Sequence, residues 1–360
     1  MLTVLLIIFI FGLLVFVHEF GHFIVAKKAG IKVEEFGFGF PPRILGIKRR
    51  GTIYSLNAVP LGGFVKIFGE QGEGAGHPES FASKGIWIRS STVVAGVVMN
   101  ILLAFLIFIF IFWSGAQVAV TSENQNRIVD RAVSILQVQP QTPAQEAGLR
   151  LGDKLVELKI KNETLKIYSV EQFQRLMKEY EGQQIALSIK RGEGLLEKEV
   201  VPKINPPEGQ GRLGVALVET GIVRYPFFGA IYEALKTTFS LLYFIFVAIL
   251  KMIGGLIFQF QAPAGVSGPV GIGFLIHQAS KLGVNFLLNL TAVISLNLAV
   301  LNILPLPALD GGRLLFFAIE ALRRGKKVSY KTENLIHAAG FAILIGLAIL
   351  VTIRDIRVYF

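Results

Sequence analysis

Four stretches of the chain are apolar for long enough to cross a hydrocarbon core about 30 Å thick, which takes roughly 20 helical residues. They are residues 2–26, 92–113, 285–304 and 335–353, and each reads as a membrane helix. The first has no basic leader and no small-residue cleavage site after its apolar stretch, so it reads as a retained helix rather than a signal peptide. A fifth run, 227–260, is broken by charge: its uncharged core lies between Lys236 and Lys251 and holds fourteen residues. That length suits an interfacial or re-entrant segment better than a span. Region 206–284 is therefore expected to lie in the interface, or to dip and return.

Two regions carry a different period. Residues 27–91 contain Gly37-Phe-Gly-Phe-Pro-Pro, then an alternating stretch through Ile53, Ser55 and Asn57 that turns at Leu61-Gly-Gly. This pattern predicts an apolar β-hairpin loop, with so many apolar side chains that contact with lipid or substrate is expected. Residues 117–205 form the extended polar region. There, residues 142–156 read as turn, short helix, glycine stop and strand. A helical pattern follows over 169–180, with Phe173, Leu176 and Met177 on one face, and then a strand with Ile185, Leu187 and Ile189 on one side. The run Pro-Ala-x-x-Ala-Gly-Leu-x-x-Gly-Asp resembles a PDZ domain. The expected fold is thus a multi-pass α-helical membrane protein: four transmembrane helices, a re-entrant β-hairpin loop and one inserted PDZ-like α+β domain.

Composition agrees with a bilayer setting. The chain is 52% hydrophobic and 17% charged, with 29 phenylalanines, against roughly 25% charged residues in soluble domains. The formal charge is +11. The basic residues sit beside the apolar runs, as cytoplasmic flanks of membrane helices do, so no nucleic-acid partner is expected. With no cysteine and only five histidines, thiol chemistry is excluded and imidazole chemistry has few candidates.

His18-Glu19-Phe20-Gly21-His22 supplies the chemistry. At 100° per residue, His18 and His22 stand one turn apart on the same helix face and can share one metal ion, with Glu19 beside them as a base for water. Ionisable groups inside a span are functional by default. Catalytic zinc takes three protein ligands, and the third is sought in Asn302-Ile-Leu-Pro-Leu-Pro-Ala-Leu-Asp310-Gly-Gly. There two prolines and Gly-Gly break the helix and free Asp310 to turn inward. Asp310 could equally start the next helix as its N-cap.

The chain resembles the site-2 protease family of intramembrane zinc metalloproteases. The resemblance covers nearly all of it. The HExxH helix is followed by a loop ending Pro60-Leu-Gly-Gly-Phe-Val-Lys and by Ala95-Gly-Val-Val-Met-Asn100. Further on come the PDZ region, Ser267-Gly-Pro-Val-Gly-Ile, and Asn-x-x-Pro-x-x-x-x-Asp-Gly. It implies that His18, His22 and Asp310 bind Zn2+, that Glu19 is the catalytic base, and that Asn297 and Asn302 engage substrate. It also implies a multi-pass protein of the bacterial inner membrane that cuts single-pass membrane proteins, such as an anti-sigma factor or a signal-peptide remnant. The PDZ domain would face outward and the zinc the cytoplasmic side. Two departures are visible: there is room for one PDZ domain where some members have two, and Gly-Val-Val-Met-Asn stands where Gly-Pro-x-x-Asn is more usual. No Gly-Leu-Gly-Phe-like loop occurs between Val133 and Pro143, so the PDZ region is expected to act as a size filter rather than a peptide reader. A catalytically silent membrane scaffold is the competing function.

Overall fold

The computed structural model describes residues 2–122, 124–160, 163–192, 194–207, 210–259 and 268–359. The chain divides into two units. The first comprises residues 1–108, 232–279 and 288–360, and the second residues 109–231 and 280–287.

In the first unit, α1 (Leu2–Lys28) runs 27 residues and ends on Lys27 and Lys28, whose charges suit the negative end of the helix dipole. The chain then forms β1 (Val33–Arg49) and β2 (Thr52–Ile67). These long strands fold over on themselves. Residues 35–38 pair with 63–66 and also with 53–56, while 43–49 pair with 52–57. Segment 33–38 therefore lies inside the sheet, and 43–49 and 63–67 form its two edges. Ile44, Leu45 and Ile47 on the first edge are exposed; the second edge lies along α1, with Gly62 against Val15 and Gly63 against Phe16.

Next comes α2 (Ile86–Ser114), which meets α1 at very close range. A Cβ on Gly21 would stand 2.3 Å from the Ala95 carbonyl oxygen, so only glycine lets the two backbones approach this far. At its start, Arg89 is buried and donates to Glu320 at 2.6 Å. Later elements are α5 (Phe227–Gln259), α6 (Pro269–Leu282), α7 (Val284–Ile303), α8 (Asp310–Leu322) and α9 (Tyr330–Tyr359).

Among the described residues, five helices (α1, α2, α5, α7 and α9) are long and apolar enough to cross a membrane, where the sequence pattern led to four. The addition is α5. It continues through Lys236 and Lys251 as one 33-residue helix, because lysine is a good helix former and its long stem can carry the charge away from an apolar face. Ile249 of α5 packs with Val300 and Leu304 at the end of α7. By Gly268 the chain is at the other end of α9, where the amides of Gly268 and Gly271 donate to buried Asp355 at 2.9 and 2.7 Å. Ser267, which opens the Ser-Gly-Pro-Val-Gly-Ile run, lies outside the described residues.

The second unit is a sheet with small helices. Its strands are β3 (Ala116–Ala119), β4 (Val129–Val138), β5 (Lys154–Ile160), β6 (Glu163–Lys166), β7 (Ile185–Arg191), β8 (Gly194–Val200) and β9 (Val215–Val223). The order is β3-β9-β4-β5-β7-β8, with β6 on β5. Short α3 (Pro143–Glu146) and amphipathic α4 (Val170–Glu179) complete it. Alternation along β7, and a register shift in β5 between Leu155 and Glu157, place Leu155, Leu158, Leu187 and Ile189 in one core with Phe173 and Met177 of α4. Asp153, fully buried, is held by Arg191 through two 2.7 Å bonds. The sheet does not stop at residue 205, where the PDZ-like domain was expected to end. β9 continues the domain and inserts between β3 and β4.

Candidate metal centre

The HExxH turn lies within α1, and helical geometry alone sets His18 and His22 on one face. The rings sit edge to face, 4.7 Å apart, and the two Nε2 atoms are 3.2 Å apart. Asp310 arrives from the far end of the chain: its Oδ2 lies 3.1 Å from His18 Nε2 and 3.4 Å from His22 Nε2. It occupies the first position of α8, Leu309 holds the N-cap place, and no side chain caps that end. The carboxylate is thus released from a capping role, and its buried Oδ2 has no hydrogen-bond partner.

These distances test the site for a metal. A tetrahedral zinc ion with bonds of about 2.0–2.1 Å has ligand atoms about 3.3 Å apart. The three donor atoms span 3.1–3.4 Å, so they fit one face of that tetrahedron. Among the described residues, this is the group of three His and Asp side chains that can converge on one ion.

The surroundings set the tautomers. His22 Nδ1 lies 2.8 Å from the Thr92 carbonyl, which can only accept, so Nδ1 carries the proton and Nε2 offers its lone pair. His18 Nδ1 faces the Asn100 amide at 3.4 Å. Asn100 Oδ1 is buried without a partner. Turning that amide over gives Oδ1 to the His18 Nδ1 proton and leaves Nε2 free in the same way. Glu19 and Asp310 line one cavity of about 550 Å³, bordered by Phe64, Val65 and Ile67 of the β2 edge.

The sequence profile of peptidase family M50 matches residues 6–347. The chain belongs to the site-2 protease family, and it is a membrane zinc metalloprotease. A protein named as a zinc metalloprotease from Clostridium perfringens is 37% identical over 348 residues, covering 96% of both chains. Another so named, from Clostridium acetobutylicum, is 32% identical over 98% of this chain and 97% of its own. The zinc metalloprotease RasP of Geobacillus kaustophilus is 30% identical, again over 98% and 97%.

Not every candidate of this M50 protease gathers at the cavity. Asn297 donates to the Val293 carbonyl of its own helix at 2.9 Å, and neither it nor Asn302 lines the 550 Å³ space. The sequence reading overlooked the support of the histidines. Asn100 entered only as part of a motif, although an amide inside an apolar span is itself a signal. Gly96 likewise entered only as part of that motif. A Cβ there would stand 2.6 Å from both His18 Cε1 and His22 Nε2. Gly96→Ala should therefore push the two rings apart and lower zinc affinity at least about tenfold, on the scale of changes to metal-supporting groups. Gly85→Ala meets nothing within 4 Å and should leave affinity unchanged. Chelator competition on both purified proteins checks this, and equal affinities would refute it.

Proposed function

We propose that His18, His22 and Asp310 hold the zinc of this metalloprotease, that Glu19 is its base, and that the substrate is the membrane segment of a single-pass protein. The convergence of the three donor atoms carries the reading, with His22 and Asp310 lining the cavity that Glu19 also lines. Zinc, when bound, acts as a Lewis acid toward the scissile carbonyl and acidifies water. Glu19 takes the proton from the attacking water and returns it to the leaving amine.

A helical membrane substrate hides its carbonyls in its own hydrogen bonds, so cleavage requires local unwinding. The freed amides and carbonyls need partners. The edge 63–67 supports strand addition by such an extended segment, since it borders the cavity and its other side is paired to 33–38. Asn297 and Asn302 would offer amides from α7 farther along the substrate. A silent scaffold has no use for Glu19 at this place. Glu19→Gln should keep zinc and abolish hydrolysis of a model membrane peptide, while His22→Ala and Asp310→Ala should lose both. Metal analysis with a cleavage assay decides this, and an active Glu19→Gln protein would end the proposal.

The same site supports a topology in a bacterial inner membrane. It joins the C-terminal half of α1 to the chain just past the C-terminus of α7, so both helices run the same way. The expected dip and return of 206–284 is compatible with this: α5 reaches the α7 end at Ile249, yet Gly268 lies with Asp355 at the other end of α9. Lys27 and Lys28 end α1 and Lys32 follows it, and Arg323, Arg324, Lys326 and Lys327 follow α8, which turns this side to the cytoplasm. In this cysteine-free chain, Glu163→Cys should label from outside and Lys326→Cys from inside; the opposite pattern would reject the orientation.

The second unit supports a PDZ-like role in which capture joins filtering. Gly211-Arg-Leu-Gly-Val215 lies later in the chain than the loop first sought. Leu213, Val215 and Leu217 line a groove of about 220 Å³ with Phe173 and Met177. Residues 215–218 pair β4 on one side, and the β3 segment reaches β9 only from Glu219 onward, whose carbonyl accepts from the Val120 amide at 2.8 Å. An extended peptide could add to that open edge. A fluorescent decapeptide with an apolar C-terminus should bind the full-length protein and lose binding with Leu217→Arg. Equal binding by both proteins would leave only the size filter.

A further inference from the structure

One histidine at the cavity has no part in the chemistry above. His337 of α9 lines the same cavity as Glu19 and Asp310, and its Nδ1 lies 2.9 Å from the Ala308 amide nitrogen. An amide N–H only donates, so Nδ1 accepts, and the neutral ring carries its own proton on Nε2. That Nε2 is buried and has no partner. A buried unpaired donor is unfavourable, so filling space is a poor reason for histidine here.

The bond it makes is to the one segment the zinc site cannot spare. Between α7 and α8 the chain runs Leu304-Pro-Leu-Pro-Ala-Leu, and Pro305 and Pro307 have no N–H to stabilise a turn. Ala308 sits at φ +71°, a left-handed conformation that a side-chain-bearing residue adopts only when its surroundings impose it. Two residues later comes Asp310, whose Oδ2 has no hydrogen bond to steer it. Its position therefore follows from the backbone of this turn. α9 packs tightly against the same turn: a Cβ on Gly340 would come within 2.3 Å of Pro307 Cβ, and one on Gly312 within 3.2 Å of His337 Cε1.

We propose that His337 is a positioning residue of the zinc site: by accepting the Ala308 amide proton, it locks the left-handed turn that sets Asp310 against His18 and His22. The proposal rests on Asp310 being a ligand, and its test separates the two ideas. Zinc affinity is measured by competition with a chromophoric chelator on the full-length protein in detergent micelles, alongside the visible spectrum of the Co2+-loaded form. His337→Leu removes the acceptor and should weaken zinc binding about 10- to 100-fold, the usual scale for groups that orient a ligand, with altered Co2+ bands. His337→Asn places an oxygen where Nδ1 was and should stay within about threefold of the native affinity on that scale. His337→Gln puts its amide beyond that point and should fall with His337→Leu, which keeps the comparison available if the leucine variant does not fold. Native affinity in His337→Leu or His337→Gln, or an equal loss in His337→Asn, would overturn the proposal. If Asp310→Ala keeps its zinc, the ligand assignment fails instead. If Asp310→Ala loses zinc while His337→Leu keeps it, only the role of His337 falls.

Discussion

The structure depends on the near contact of α1 and α2. An imidazole pair inside an apolar helix must have each ring nitrogen satisfied, and the neighbouring helix has to supply the partners at hydrogen-bond range. Gly21 and Gly96 make that range possible, since a Cβ at either would collide with Ala95 or with the rings themselves. The result is a Thr92 carbonyl on His22 and an Asn100 amide on His18. The Asn100 backbone is held in turn, because its main-chain carbonyl accepts from the Ser295 hydroxyl of α7 at 2.8 Å. One close helix crossing thereby ties the histidines to the helix that leads toward Asp310.

The second half of the centre rests on a different device. α1 presents its histidines by regular helical geometry, which tolerates little error. Asp310 instead hangs from an irregular turn made of two prolines and a left-handed alanine. Such a turn has few bonds of its own and needs walls. α9 provides one through His337, Pro307 against Gly340, and the face of Gly312. The β2 edge and α1 form the opposite side of the cavity. Rigid and strained parts are thus divided between the two ends of the chain.

Much of this was legible in the residues. The HExxH spacing, the long apolar runs and the Pro-rich break before Asp310 each follow from local rules: helical periodicity, hydrocarbon thickness and the missing N–H of proline. The alternation of Ile185, Leu187 and Ile189 marked a strand from the same kind of local rule. Local rules stop where partners come from afar. β9 lies past a Pro/Gly-rich stretch and earns its place only by pairing with β3 and β4. The Gly-Arg-Leu-Gly turn fell in the region expected to lie in the interface, and only that pairing gives it an edge to present. α5 was judged by the charges that bound it, whereas helix continuity answers to backbone hydrogen bonds, which lysine does not break.

The sequence by itself determined the HExxH turn with its paired imidazoles and adjacent carboxylate, and the apolar segments, because each is written within a few helical turns of contiguous residues. Only the tertiary structure decided which oxygen meets the two imidazoles, which carbonyl and amide set their tautomers, and which histidine accepts the Ala308 amide of the turn before Asp310. Those choices join residues hundreds of positions apart, and they are made by close packing and by the need of every buried polar atom for a partner.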